Sequence, residues 1–381
     1  MSATVNFGLS KTKAEEPFGG VSVDALPRAV LRPTAYLLLD GEWNFALDSE
    51  DRGLTERWFL GRHYEETATW PGSVEEHMRL DHKEKSGKTD TVIVWYERDF
   101  PLPVWEDDSP KSMIQLTFGA CGYETRVWLN GFPIRTIENE SVHRGEYFSF
   151  TYELDRTILR PVNRLTVRIS DSLSADIPRG KQESHIYKRG GIWYQTYSGP
   201  VRSVWLESIE RNRLRSRIGV ESVIEDRLVC FNLTVHIHDP GNYHIALEVY
   251  PRSQRTGPPL ASDTFDIPLE PGEKQQGLVL HIPDANLWSV ESPNLYTLVA
   301  KLIDSEGYTA VIESNFGLRK IEARGNKVYL NNHPVYLNGI LYQPGTSSYE
   351  EIKRHLYAMK ELGCNLVRIH ISGLDPPIYK L

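Results

Sequence analysis

From about Leu31 to Glu207 apolar and polar residues alternate in short runs, and clusters of Pro, Gly, Asn and Asp separate the runs. Gly41-Glu-Trp-Asn-Phe-Ala-Leu47, Val92 to Phe100, Met113-Ile-Gln-Leu-Thr-Phe118 and Thr125-Arg-Val-Trp-Leu129 each read as strands. A period of two places one side of such a strand in a core and the other in water. In Asn163-Arg-Leu-Thr-Val-Arg-Ile-Ser170 this predicts Leu165, Val167 and Ile169 inward. Asn130-Gly131, between Leu129 and Phe132, is a hairpin signal because both residues accept positive φ. Many short strands with regular turns predict an all-β sandwich.

A basic, irregular stretch, Arg211 to Arg217, precedes a second β-rich region that ends near Phe316. Its strands include Leu228 to Val235, His244 to Tyr250 and Leu295 to Leu302. About seven strand candidates over residues 209–318 suit an immunoglobulin-like sandwich. From Lys327 the pattern changes. A hairpin runs into the apolar stretch Val335 to Leu341, and Ser348-Tyr-Glu-Glu351 has the form of a capping box. Ile352, Leu356 and Met359 then fall at helical spacing, Gly363 ends the helix, and Cys364 to Ile371 reads as a second buried strand. This is a parallel βαβ unit, too short to close a barrel or to cover both faces of a sheet.

Composition narrows the class of function. Of the 381 residues 40% are hydrophobic and 25% charged, with a net charge of −8, as in an ordinary soluble protein. No Lys/Arg cluster supports nucleic-acid binding. Residues 1–30 form an expected loose arm that meets the first sheet late. They hold no apolar run of the kind a signal peptide needs, and no segment approaches a membrane span. The 3 cysteines, Cys121, Cys230 and Cys364, are odd in number and far apart, which suits free thiols. The expectation is a cytoplasmic protein without membrane or nucleic-acid partners.

Several motifs in chain order carry a family resemblance. Trp95-Tyr-Glu-Arg98, Val127-Trp-Leu-Asn-Gly131, His143 to Tyr147 and Gly191 to Glu207 lie in the first region. Leu287 to Tyr296, Phe316-Gly-Leu-Arg-Lys-Ile321, Leu330 to Gly339 and Met359 to His370 follow. Together they resemble glycoside hydrolase family 2, the family of β-galactosidases, β-glucuronidases and β-mannosidases. The resemblance implies a mainly β fold: a jelly-roll sugar-binding domain over residues 31–208, an immunoglobulin-like β-sandwich over 209–318, and the truncated βαβ start of a (β/α)8 barrel over 319–381. It also implies retaining hydrolysis of a β-linked terminal sugar. No zinc-spaced Cys/His set or dinucleotide fingerprint occurs, so no cofactor and no metal are expected.

Retaining hydrolysis needs two carboxylates about 5–5.5 Å apart. The resemblance puts both on barrel strands beyond the second, so no catalytic residue is assigned and the chain alone should be inactive. The family's Asn-Glu motif occurs only at Asn139-Glu140, in a polar turn, while Glu350 and Glu351 suit the first turn of a helix. Arg368 stands at the end of the family's Asn-x-x-Arg motif, which shapes the sugar pocket. His370 follows it by two residues, where the commoner family pattern has three. Tyr342 and Gln343 match the polar pair that ends the first barrel strand. These four residues are the substrate-binding candidates by resemblance.

Outside them, His236 and His238 share one face of a strand, as half of a metal site or as solvent-side residues. Trp193, Tyr194, Tyr197 and Trp205 could stack on a sugar or fill a core. A carbohydrate is the expected ligand class, and self-association through the C-terminal segment the expected contact between chains. The alternatives to a hydrolase are a carbohydrate-binding or protein-interaction module, or a repurposed non-hydrolytic protein.

Overall fold

Alternation in Val162–Ser172 sets the first core: Leu165, Val167 and Ile169 are all at most 1% exposed. The computed structural model describes residues 30–31, 36–78, 91–103, 112–154, 156–174, 176–252, 257–343 and 349–369. Val162–Ser172 pairs antiparallel with Thr91–Pro101 on one side and Glu124–Leu129 on the other. Gly41–Leu47, Glu66–Trp70 and His143–Arg144 extend this sheet, and Phe132–Pro133 folds back on Glu124–Leu129. The hairpin turns at Asn130 and Gly131, with φ of 53° and 84°.

A second sheet, in the order Phe150–Leu154, Ser112–Phe118, Val204–Glu210 and Tyr36–Leu38, contributes the other half of this core. Trp43, Trp70, Tyr96 and Phe118 meet between the sheets, with Trp43 and Trp70 at 4.7 Å and Trp70 and Tyr96 edge-on at 5.3 Å. Such pairs are worth about 0.5–1.5 kcal/mol each beyond their burial. The chain passes from the second sheet to the first at Asp40, whose carboxylate accepts the Val204 amide at 2.9 Å. Burial pushes the Asp40 carboxyl up to about 6, against the hydrogen bonds from Ser203 and Val204 that favour its ionised form.

The second sandwich stacks Arg213–Val223, Leu228–Ile237 and Gly272–His281 on a five-stranded sheet. That sheet runs Val30–Leu31, Thr309–Phe316, Tyr296–Ile303, Gly241–Pro251 and Ala261–Leu269. Two points differ from the sequence reading. Val30–Leu31 pairs with Glu313 and Ser314, so the start of the described chain meets the second sandwich rather than the first. Two residues of alternation carry no information about which edge they will join. The basic stretch is not a separator either. It enters the strand Arg213–Val223 through a register shift between Leu214 and Ile218, with Arg213 only 2% exposed and paired with Glu153 of the first sandwich.

A three-stranded antiparallel unit, Ile321–Arg324, Lys327–Leu330 and His333–Val335, leads into the parallel pair Gly339–Tyr342 and Leu366–Ile369. The helix Tyr349–Glu361 connects that pair, and Gly363, with φ of 81°, ends it as its position predicts. Ser348 of the expected capping box lies outside the described residues. The helix covers one side of the pair through Ile352, which is 1% exposed, while Leu341 and Leu366 on the opposite side are 51% and 40% exposed. No helix among the described residues is long and apolar enough to cross a membrane.

Candidate functional site

Two asparagines fix the start of the parallel pair. The Asn365 side chain accepts the Asn338 amide at 2.8 Å and donates to the Tyr336 carbonyl at 2.8 Å. The Asn338 side chain donates to the Gly363 carbonyl at 3.0 Å. This clasp sets Leu341 opposite Arg368 and Tyr342 opposite Ile369. Period-two facing then sorts the candidates. Tyr342 turns to the helix side, 8% exposed, with its hydroxyl 3.0 Å from His355 Nδ1 and its ring edge-on to that imidazole. Gln343 and Arg368 are exposed. His370 lies outside the described residues. The carboxylates described between 339 and 369 are Glu350, Glu351 and Glu361, all on the helix and none on the two strands.

The densest buried polar cluster lies instead in the first sandwich, where Glu75, Glu146, Asp171, Arg179 and Gln182 are each no more than 4% exposed. Arg179 donates to Asp171 at 2.6 Å, and Ser198 Oγ donates to the other oxygen of that carboxylate at 2.7 Å. Glu75 accepts the Ser198 amide at 2.9 Å and the Thr196 hydroxyl at 3.2 Å. Gln182 donates to Glu146 at 2.5 Å and to Tyr147 Oη at 2.6 Å, and accepts the Tyr197 amide at 2.9 Å. These bonds tie the irregular segment between Ser172 and Gly199 to the sheets. No local pattern joins these groups, although Arg179, Lys181 and Glu183 alternate with small or polar residues there.

Burial raises the Glu146 carboxyl well above its ordinary value, and the neighbouring Asp171 charge adds to the shift. A carboxyl raised in the folded state stabilises the fold at pH below its unfolded value, and that contribution is lost as pH rises through the folded value. Glu146→Gln mimics the protonated acid and removes the dependence. The wild-type urea midpoint should fall more than that of Glu146→Gln between about pH 5 and pH 8. Parallel profiles for the two proteins would show that folding does not raise the Glu146 carboxyl.

The aromatic candidates separate by environment. Trp205, 3% exposed, packs with Leu38 and Tyr36 and donates its indole N–H to Glu207 at 3.1 Å, which is core packing. Trp193 is half-buried and stacks on Tyr187 with ring centres 4.1 Å apart. His236 and His238 approach with their Nε2 atoms 3.0 Å apart. Burial and then the Arg213 charge lower the first imidazole, and burial and then Arg211 lower the second. That surrounding positive charge disfavours a bound cation. No group of three His, Cys, Asp or Glu among the described residues could hold a metal ion.

Residues 217–319 match the glycosyl hydrolases family 2 pattern. Mouse β-glucuronidase is 26% identical over 326 residues, covering 79% of this chain and 47% of that protein. A β-galactosidase of Bacteroides ovatus is 24% identical over 304 residues, covering 76% of this chain and 32% of its own length. The solved structure of Lactobacillus rhamnosus β-glucuronidase superposes with a TM-score of 0.70 at 23% identity, over 91% of this chain and 56% of that one. The chain thus spans about a third to a half of the length of these curated relatives. Over residues 217–319 the chain carries the pattern of glycoside hydrolase family 2, and its order of two β-sandwiches followed by a parallel strand–helix–strand unit is similar to that of the solved β-glucuronidase.

Proposed function

We propose that this chain supplies the sandwich framework and the first barrel strands of a β-glycosidase that removes a terminal sugar, with an aryl β-glucuronide as the first substrate to test. The observation that supports the reading is the parallel pair Gly339–Tyr342 and Leu366–Ile369, set after two sandwiches and covered by a helix on one side only. In a (β/α)8 barrel that open side would be the interior, and the strand ends near Gln343 and Arg368 would border the sugar pocket. The names of the relatives, β-glucuronidase in most cases, motivate the choice of substrate.

The recombinant 381-residue chain should not turn over 4-nitrophenyl β-glucuronide or β-galactoside, because the carboxylates described around the parallel pair stand on its helix. Native polypeptide captured from its source with antibodies against the first sandwich should hydrolyse one of the two. Inert native material, or turnover by the recombinant chain that a single Glu or Asp change abolishes, would overturn the proposal.

The open side also bears on association. Leu341 and Leu366 form an exposed apolar strip beside two strand edges, a surface that invites pairing with another chain. Sedimentation velocity of the recombinant chain should show concentration-dependent association that Leu341→Asp abolishes while both sandwiches stay folded. A wild-type chain that sediments as a monomer at every concentration would exclude this contact.

A further inference from the structure

The two sandwiches meet through polar sheet faces, and a groove of about 660 Å³ opens between them. Its volume lies within the roughly 300–1,000 Å³ typical of small-molecule sites. One wall is the outer face of the first sandwich, with Gln115 on Ser112–Phe118 and Thr151 on Phe150–Leu154. The other is the outer face of the three-stranded sheet, with Asn232, Thr234 and Gln275 on neighbouring strands.

Three features set this groove apart from a merely wet seam. First, Gln115 is 5% exposed and spends its amide N–H on Thr117 at 3.0 Å, while its Oε1 is buried with no hydrogen-bond partner among the described residues. A buried acceptor without a donor is costly and marks a place for one. Second, Asn232 is flanked across the ladder by Gly219 and Gly277. A Cβ on Gly219 would sit 3.1 Å from the Asn232 Cβ, and one on Gly277 would sit 3.2 Å from its Oδ1. Neither glycine is among those with positive φ, so no turn requires them. Both glycines make room for the Asn232 side chain, which sets its amide in the groove wall. Third, the charges lining the groove already have an acidic balance: Arg215 pairs with Glu273 at 3.0 Å, and Glu138 adds a further carboxylate.

We infer that this groove binds an uncharged oligosaccharide, a function beyond hydrolysis. Side-chain amides and hydroxyls offer the paired donors and acceptors that vicinal sugar hydroxyls match. The acidic balance disfavours uronates. Among the described residues that line the groove no ring is free to stack on a pyranose, since Phe150 is covered by His143 at 3.8 Å and by Phe118 at 4.9 Å. Without stacking, affinity rests on hydrogen bonds exchanged against water, so dissociation constants of about 0.1–1 mM are expected.

The test is saturation-transfer NMR and calorimetry on the full chain with cellotriose, maltotriose and mannotriose, and with glucuronic acid as the anionic control. At least one trisaccharide should bind and glucuronic acid should not. Gln275→Ala and Asn232→Ala should each weaken binding at least about tenfold. Thr151→Trp, which fills the groove from a half-buried strand position that tolerates an aromatic ring, should abolish it with the circular dichroism unchanged. Failure of all three trisaccharides to bind at about 10 mM, binding indifferent to all three substitutions, or equal binding of glucuronic acid would each overturn the inference.

Discussion

Arg179→Met is expected to destabilise the first sandwich by about 3–5 kcal/mol, the usual consequence of removing one partner from a buried ion pair. Arg179 is 3% exposed and donates to both oxygens of Asp171, at 2.6 and 3.4 Å. Its guanidinium also lowers the Glu146 carboxyl, against the rise that burial imposes. Methionine fills comparable space but leaves the buried Asp171 carboxylate without its cation. The second change Asp171→Asn should recover part of the loss, because an amide keeps the hydrogen bond from Ser198 and carries no charge. Urea unfolding followed by tryptophan fluorescence measures both variants. A loss below about 1 kcal/mol for Arg179→Met would mean that water reaches the cluster and screens its charges.

Leu318→Ala should cost the second sandwich about 2–5 kcal/mol, the range for truncating a buried leucine. Leu318 lies beyond the last strand of its sheet, yet it is fully buried in the second core. Its carbonyl accepts the Trp288 amide at 2.9 Å, and the Trp288 carbonyl accepts from the Asn331 side chain at 2.8 Å. The core therefore continues past Phe316 into the link with the parallel unit. A chain ending at Phe316 should unfold at lower urea than one ending at Lys320. Equal midpoints would show that the sandwich closes without Leu318.

Much of the architecture was legible in the residues. Alternation in Val162–Ser172, the Asn130-Gly131 turn and the helical spacing closed by Gly363 depend on local geometry, which sequence neighbours dictate. Motifs spaced along the chain carried the family. The facing of Tyr342 was less legible. Its burial follows from where the helix lies and from the Asn338–Asn365 clasp, and both bring together residues some 25 positions apart.

Residues far apart in the chain account for what the sequence could not show. Glu75 and Ser198 are 123 positions apart, and no local pattern says that an amide will meet that carboxylate. The groove between the sandwiches depends on Gln115 and Gln275 facing a common space, which requires two independently folded sheets to dock. By itself the sequence determined the alternating strands and which of their residues share a face, because backbone sterics and side-chain period act over a few residues. Only the tertiary structure decided which polar groups were buried together and which faces were left open, because burial is a property of packing between elements and not of any one of them.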